Sequence, residues 1–228
     1  MRPILIIIAI MASQGLLAQN LQLHCIFGEK KVHPATRVEM FQADQWGSTY
    51  FFIDMFYGIS DELNGMNMAY WEISRGLKFW DSPFEIHLEY NGGLGRFELS
   101  EATGAYTIND AWLLGGHYTF ANESFSKTFT IQAMYKYIKY KQDLSFQLTG
   151  IWDLNFFKEK LTFEGYADYW KEQKTHQQGT TEYIFMTEAQ LWYNFTEQLA
   201  AGGRFELTNN FSVKGMAFTP GLGARWIF

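Results

Sequence analysis

The sequence predicts an all-β protein, a 12-stranded antiparallel transmembrane β-barrel of the outer-membrane type. Three observations predict it: a secretory leader opens the chain, alternating apolar and polar side chains follow in segments, and the last segment ends in an aromatic residue. Aromatic side chains make up 18% of the chain, yet no apolar run after the leader is long enough for a spanning helix. Secretion combined with many aromatic residues therefore favours strands.

Residues 1–18 have the order of a secretory signal peptide. Arg2 supplies one positive charge, an apolar run covers residues 4–12, and a polar break precedes the last apolar residues up to Ala18. The apolar run is about half of the ~20 residues that a membrane-spanning helix needs. We therefore predict cleavage after Ala18, which leaves residues 19–228 as one barrel domain.

Charge and cysteine content exclude several kinds of partner and site. The formal net charge is −6, and it becomes −7 when Arg2 leaves with the leader. Such an acidic chain without a basic cluster argues against a nucleic-acid partner. Cys25 is the only cysteine and cannot form an internal disulfide. The histidines lie in distant segments without metal-ligand spacing, so we predict no metal, no cofactor and no catalytic residues.

Twelve segments after the leader alternate with the period of a strand. The clearest covers residues 160–170. Its apolar face begins at Leu161 and ends at Tyr169, and its opposite face includes Glu164 and Asp168. The predicted strands cover residues 20–28, 35–43, 47–57, 66–79, 83–92, 107–120, 127–139, 143–155, 160–170, 182–195, 198–208 and 216–228. Residues 72–76 and 110–117 have registers that a bulge would shift.

The connections between these segments alternate in length. Those after odd-numbered segments have 6, 8, 14, 3, 11 and 7 residues, and those after even-numbered segments have 3, 3, 6, 4 and 2. Outer-membrane barrels combine longer outer loops with short periplasmic turns. We therefore predict a barrel in the Gram-negative outer membrane, surrounded by lipid and lipopolysaccharide, with both termini on the periplasmic side.

The last segment supports the same conclusion. Its apolar side chains occupy alternate positions from Met216 to Phe228, and outer-membrane barrels characteristically end this way. We expect the barrel assembly machinery to recognise this strand. The alternative is a soluble β-sandwich or lipocalin-like barrel with the apolar face inward. Long strands and repeated charges on one face disfavour it.

The polar faces predict an acidic lumen. Ten acidic and four basic side chains face inward, which leaves a charge of about −6. They are Glu39, Asp54, Glu72, Glu85, Glu89, Asp153, Glu164, Asp168, Glu188 and Glu206, and Arg37, Lys136, Arg204 and Arg225. Pairing between neighbouring strands is the alternative role for each of them.

The third segment places aromatic side chains on its polar face. Tyr50, Phe52 and Phe56 point the same way as Asp54. Aromatic faces beside carboxylates suit a flat polar solute such as a nucleobase on ribose. The alternative is that these rings only fill a narrow barrel, since twelve strands give a backbone radius of roughly 12 Å.

Several runs carry a family resemblance. The runs are Val38-Glu39-Met40-Phe41, Trp46, Tyr50-Phe51-Phe52-Ile53-Asp54, Trp71-Glu72-Ile73, Ala133-Met134-Tyr135-Lys136-Tyr137 and Leu161-Thr162-Phe163-Glu164-Gly165-Tyr166-Ala167-Asp168-Tyr169. In this order they resemble strands of the Tsx-like nucleoside-specific channels. The present chain is shorter and its outer loops are reduced, which suggests a shorter branch of that superfamily.

The resemblance implies a 12-stranded monomer that passes nucleosides by facilitated diffusion. It carries over the substrate-contacting residues Glu39, Phe52, Asp54, Glu72, Tyr166 and Asp168, to which the third segment adds Tyr50 and Phe56. Two alternatives stay open: a closed structural or adhesion barrel, and an outer-membrane lipid hydrolase, which would need a serine, a histidine and an acid together.

Overall fold

The computed structural model describes residues 18–28, 32–59, 64–99, 102–141 and 144–228. The predicted signal peptide lies outside the described residues except for Ala18. The twelve strands are β1 (Ala18–Phe27), β2 (Val32–Asp44), β3 (Gly47–Ile59), β4 (Asn64–Leu77), β5 (Phe84–Leu99), β6 (Ala102–Ala121), β7 (Lys127–Ile138), β8 (Ser145–Phe156), β9 (Leu161–His176), β10 (Gly179–Asn194), β11 (Leu199–Asn209) and β12 (Met216–Ile227).

The strands form one closed antiparallel barrel. Each strand pairs with its neighbours in the chain, and β1 pairs with β12 to close the sheet. At this seam the amide of Phe228 donates to the carbonyl oxygen of Gln19 at 3.0 Å. The predicted fold and number of strands are therefore confirmed.

No helix among the described residues is long and apolar enough to cross a membrane.

The barrel wall has the inverse polarity of a water-soluble protein. Leu88, Leu148 and Leu222 on the outer face are 43%, 48% and 59% exposed, whereas Gln22 and Glu188 inside are at most 1% exposed. Apolar side chains face outward because lipid, not water, surrounds such a wall. The alternative of a soluble barrel with an apolar interior is thus excluded.

The predicted alternation of connection lengths is wrong. Connections in the structure have two to six residues after odd-numbered and even-numbered strands alike. The predicted 14-residue and 11-residue connections are largely taken up by longer strands, in the β5–β6 and β9–β10 hairpins. These hairpins extend the barrel at the end opposite the termini. The two ends of the barrel therefore differ in the length of their strands and not in the length of their connections.

The alternation of apolar and polar residues did not predict the β5–β6 extension, because glycines interrupt it. Gly95 pairs with Tyr106, and Gly104 pairs with Phe97. Each aromatic ring lies over the opposing glycine. A Cβ atom at Gly95, for example, would be 2.3 Å from the ring of Tyr106. Aromatic rings that cover cross-strand glycines stabilise a strand whose own alternation is interrupted.

In the part of the chain that the structure describes, three irregularities of register lie toward the outer end. They occur in the pairing of β3 with β4 after Phe56, of β5 with β6 after Asn91, and of β9 with β10 at Thr181. The first lies outside residues 72–76, and the second meets β6 at the start of residues 110–117. On the periplasmic side of these bulges the register is regular, and this keeps Tyr50, Phe52 and Asp54 on the lumenal face.

Candidate functional site

A network of ion pairs crosses the middle of the lumen. Arg37 of β2 binds Asp54 of β3 through two hydrogen bonds, Nε to Oδ1 at 2.7 Å and Nη2 to Oδ2 at 2.8 Å. Arg37 Nη1 also donates to Glu188 Oε1 of β10 at 2.8 Å. Arg204 of β11 reaches the other oxygen of Glu188 at 2.6 Å. We call these four residues the central ion network.

The central ion network is buried at this level of the barrel. Its side chains come from both sides of the β1–β12 seam, since β1, β12 and β11 separate β2 from β10. None of the four residues is more than 6% exposed. Each charge has an opposite partner, which is the condition under which buried charges are tolerated. The lumen is therefore constricted here by paired side chains.

An aromatic group lies against this network. The guanidinium of Arg37 is 4.7 Å from the ring centroid of Phe52, which is a cation–π distance. The Phe52 ring also contacts the rings of Tyr50 and Tyr70, with centroids 6.0 Å away in each case. Phe52 is only 5% exposed. Its ring is thus covered by the protein itself, whereas Tyr50, Phe56 and Tyr166 are partly exposed.

The predicted site residues fall into two groups. The first lies on β2, β3 and β4, where Phe52 is the direct partner of both Glu39 and Glu72. Tyr50, Phe52, Asp54 and Phe56 share the lumenal face of β3, with Phe56 next to the bulge. The second lies on β9: Tyr166 is the partner of Glu188, and Asp168 accepts a hydrogen bond from Thr149.

Sequence reasoning assigned no site role to a second charged group nearer the periplasmic end. Arg225 Nη1 donates to Glu164 Oε1 at 2.6 Å, and Trp192 Nε1 donates to the same oxygen at 3.1 Å. Arg225 also lies 4.9 Å from the ring of Trp192, which is fully buried. The polar-face pattern placed these side chains in the lumen. It gave no signal that β12, β9 and β10 bring them into contact.

A third group lies on the opposite wall. Lys136 of β7 donates to Gln147 Oε1 at 2.6 Å and lies 4.6 Å from the ring of Trp170. It also interacts electrostatically with Asp168, Glu72 and Glu89. This wall therefore has more acidic than basic side chains.

Two acceptor oxygens on β5 are buried without a hydrogen-bond partner among the described residues. They are Glu89 Oε1 and Asn91 Oδ1. Asn91 is the direct cross-strand partner of Glu72, whose Oε1 accepts from the Tyr70 hydroxyl at 2.6 Å. Unpaired buried acceptors are costly, and they provide positions at which a donor group is stabilised.

Among the residues that the structure describes, no group of three or more His, Cys, Asp or Glu side chains has the geometry to hold a metal ion.

Comparisons with known proteins agree with the fold. The family model DUF5020, described as a domain of unknown function, matches residues 18–228. No curated protein matches the chain. The solved NanC porin is 13% identical with a TM-score of 0.58, and the KdgM porin is 12% identical with a TM-score of 0.53; each alignment covers 92% of this chain and 99% of the porin. The fold is that of a barrel of the Gram-negative outer membrane.

Proposed function

The chain belongs to the DUF5020 family, and we propose that it is an outer-membrane channel selective for small polar solutes, with nucleosides as the preferred class. One observation carries the proposal: the rings of Tyr50, Phe52 and Tyr70 form one row in the lumen. The Tyr70 hydroxyl donates to Glu72, whose cross-strand partner is Asn91. A solute with a flat ring and several hydroxyl donors matches both features.

The chemistry of a nucleoside fits this wall. Its base has a π-face that stacks on aromatic side chains, and its ribose hydroxyls donate hydrogen bonds. Glu89 Oε1 and Asn91 Oδ1 are acceptors that have no partner among the described residues. Glu39 and Glu72 flank Phe52 on the neighbouring strands. The resemblance to the Tsx-like channels adds support for this solute class.

The central ion network is the selectivity constriction in this proposal. Passage requires the Arg37 and Glu188 side chains to separate or rotate, because they close the lumen at this level. A solute with donors and acceptors replaces the broken hydrogen bonds, whereas an apolar solute leaves buried charges unpaired. The constriction therefore favours polar over apolar solutes.

A closed structural or adhesion barrel is the second candidate. The low exposure of Glu188 and Trp192, 1% and 0%, favours it. A lipid hydrolase has less support. His24, His87 and His117 are buried inside the barrel, whereas the lipid substrate lies outside.

We further propose that the barrel works as a monomer in contact with lipid and lipopolysaccharide. The exposed apolar wall supports the lipid contact. The aromatic terminus at Phe228 supports recognition of β12 by the barrel assembly machinery.

Planar-bilayer conductance of the refolded barrel tests the channel. We expect small single-channel steps that nucleosides block at millimolar concentration or below. Phe52→Ala should weaken the block, because it removes the ring that holds Tyr50 and Tyr70 in place. Phe205→Ala is the matched control, since Phe205 lies on the lipid face and is 42% exposed.

Absence of conductance steps in both the wild type and Glu188→Ala would favour the structural barrel. Steps that nucleosides do not block would keep the channel and remove the proposed solute. An equal loss of block in Phe205→Ala and Phe52→Ala would remove the aromatic group from the site.

A further inference from the structure

A chain of four titratable side chains runs along the lumenal wall on β5 and β6. His117 Nε2 lies 3.2 Å from Glu85 Oε2, and His87 Nε2 lies 2.8 Å from Glu89 Oε2. Between the two rings, the Nδ1 atoms of His87 and His117 are 3.1 Å apart. We call Glu85, His117, His87 and Glu89 the carboxylate–imidazole chain.

Three members of the carboxylate–imidazole chain are buried, and Glu85 is held in place by a fifth residue. His87 is 2% exposed, His117 8% and Glu89 9%. Ser48 Oγ donates to Glu85 Oε2 at 2.7 Å, which holds this carboxylate in place. The two imidazole rings meet edge to face with centroids 5.4 Å apart. Little water reaches His87, His117 and Glu89, whereas the Glu85 side chain is 15% exposed. The contacts of the two rings are therefore satisfied mainly by protons of the four residues themselves.

Counting hydrogens shows that two neutral imidazoles are not sufficient. A neutral imidazole carries one N–H, so His87 and His117 together supply two. The chain contains three contacts at hydrogen-bond distance: one at each carboxylate and one between the Nδ1 atoms. With only two protons, one of the three contacts brings two lone pairs together, either Nδ1 against Nδ1 or an Nε2 atom against a carboxylate oxygen.

We propose that the carboxylate–imidazole chain is a proton-binding site that holds three protons among its four groups. Two N–H groups donate from the Nε2 atoms to Glu85 and Glu89, and the third proton lies between the Nδ1 atoms. The chain then has a charge of −1. Loss of this proton changes the charge to −2 and breaks the contact between the rings, so the charge of the lumenal wall changes with pH.

Some of the surrounding charges favour binding of this proton, and others oppose it. Glu72 and Tyr70 on β4 and Asp168 on β9 interact with Glu89, and the two carboxylates favour the bound proton. Lys136 on β7 interacts with Glu89 and Arg75 on β4 interacts with Glu85, and both cations oppose it.

Nitrogen NMR of the refolded wild-type barrel, labelled with ¹⁵N-histidine, tests the site during a pH titration. His87→Gln and His117→Gln assign the two rings among the five histidines. We expect both rings to carry a proton on Nε2 and to take up one further proton as a pair. Two rings that titrate independently, or that carry the neutral proton on Nδ1, would overturn the proposal. This readout needs no conductance, so it stands or fails separately from the channel.

Glu85→Gln provides the matched perturbation. Loss of a carboxylate charge at hydrogen-bond distance should weaken the affinity for the shared proton about tenfold, which moves the midpoint of uptake to lower pH. Glu206→Gln, a lumenal change outside the chain, should leave the midpoint unchanged. If Glu85→Gln does not fold, Ser48→Ala replaces it: removal of the donor makes Glu85 a stronger acceptor and should move the midpoint to higher pH. An unmoved midpoint in the folded variant would refute the shared proton.

Discussion

Arg37 satisfies its guanidinium with partners from three directions. Asp54 accepts two of its hydrogen bonds, Glu188 accepts another, and the Phe52 ring covers its plane. A planar, permanently charged group with several donors is suited to such a position. Lysine would not reproduce these contacts, so the choice of arginine here has a geometric reason.

Removal of Glu188 should destabilise the barrel strongly. In Glu188→Ala, Arg37 and Arg204 stay buried without this carboxylate, and breaking a buried ion pair costs about 3–5 kcal/mol. Asp44→Ala is the control, because the Asp44–Arg75 pair is 41% and 28% exposed and such pairs contribute about 0–1 kcal/mol. Denaturant unfolding in lipid vesicles measures both. Equal losses in the two variants would show that the central ion network adds no particular stability.

At the residue level, the sequence predicted which side chains face inward but not which ones meet. Alternation alone placed Glu39, Phe52 and Glu72 on lumenal faces, and strand pairing brings them into one row. The contact between Arg37 and Glu188 depends on the closed barrel, and no local pattern encodes it. The role of Phe52 as a substrate contact stays a prediction, since Arg37 covers its ring.

Among the strands, β9 combines the clearest sequence pattern with a close approach to the backbone of β10. Gly165 faces outward between Tyr166 and Glu164, and a Cβ atom there would be 2.2 Å from the carbonyl oxygen of Glu188. The glycine therefore lets β9 and β10 approach each other beside the central ion network. This close approach is the physical reason for a glycine in a strand that otherwise alternates regularly.

Gly165→Ala should destabilise the folded barrel by about 1–3 kcal/mol, because the added methyl group overpacks against backbone. Gly150→Ala on the adjoining strand is the matched control. Its Cβ atom would meet only the Phe129 ring at 3.7 Å, an ordinary contact. The temperature at which the folded band disappears on a gel compares the two. The explanation fails if Gly150→Ala lowers this temperature as much as Gly165→Ala.

Strand bounds were predicted well where alternation is regular and poorly where glycine or polar residues interrupt it. The last strand was predicted as 216–228 and observed as Met216–Ile227. The end of β5, predicted at residue 92, lies at Leu99. Backbone pairing continues there although Gly93 and Gly95 interrupt the apolar face, and hydrophobic periodicity does not detect such pairing.

Considered as a whole, the molecule has an interior whose charges are only partly balanced. Arg37 and Arg204 are matched by Asp54 and Glu188, whereas the opposite wall sets Lys136 against several carboxylates. We expect an excess of acidic side chains in a narrow passage to favour cations over anions. This property belongs to the closed barrel, because it depends on walls that face each other.

If the lumen conducts, a potassium chloride gradient across a planar bilayer should give a reversal potential of the sign expected for cation selectivity. Lys136→Gln should increase this selectivity, because it removes a lumenal positive charge. Lys127→Gln, on the outer face at the start of β7, should not change it. Anion selectivity in the wild type, or an equal effect of both substitutions, would contradict an acidic pathway.

The seam between β1 and β12 gives the central ion network a role in the timing of folding. Arg37 and Glu188 are 151 positions apart in the chain, and they lie on opposite sides of the seam. Contacts of such high sequence separation form late. The pair is therefore absent while the sheet is still open, and its energy slows unfolding more than it accelerates folding. In kinetic terms, the pair prolongs the lifetime of the folded barrel by lowering the rate at which it unfolds.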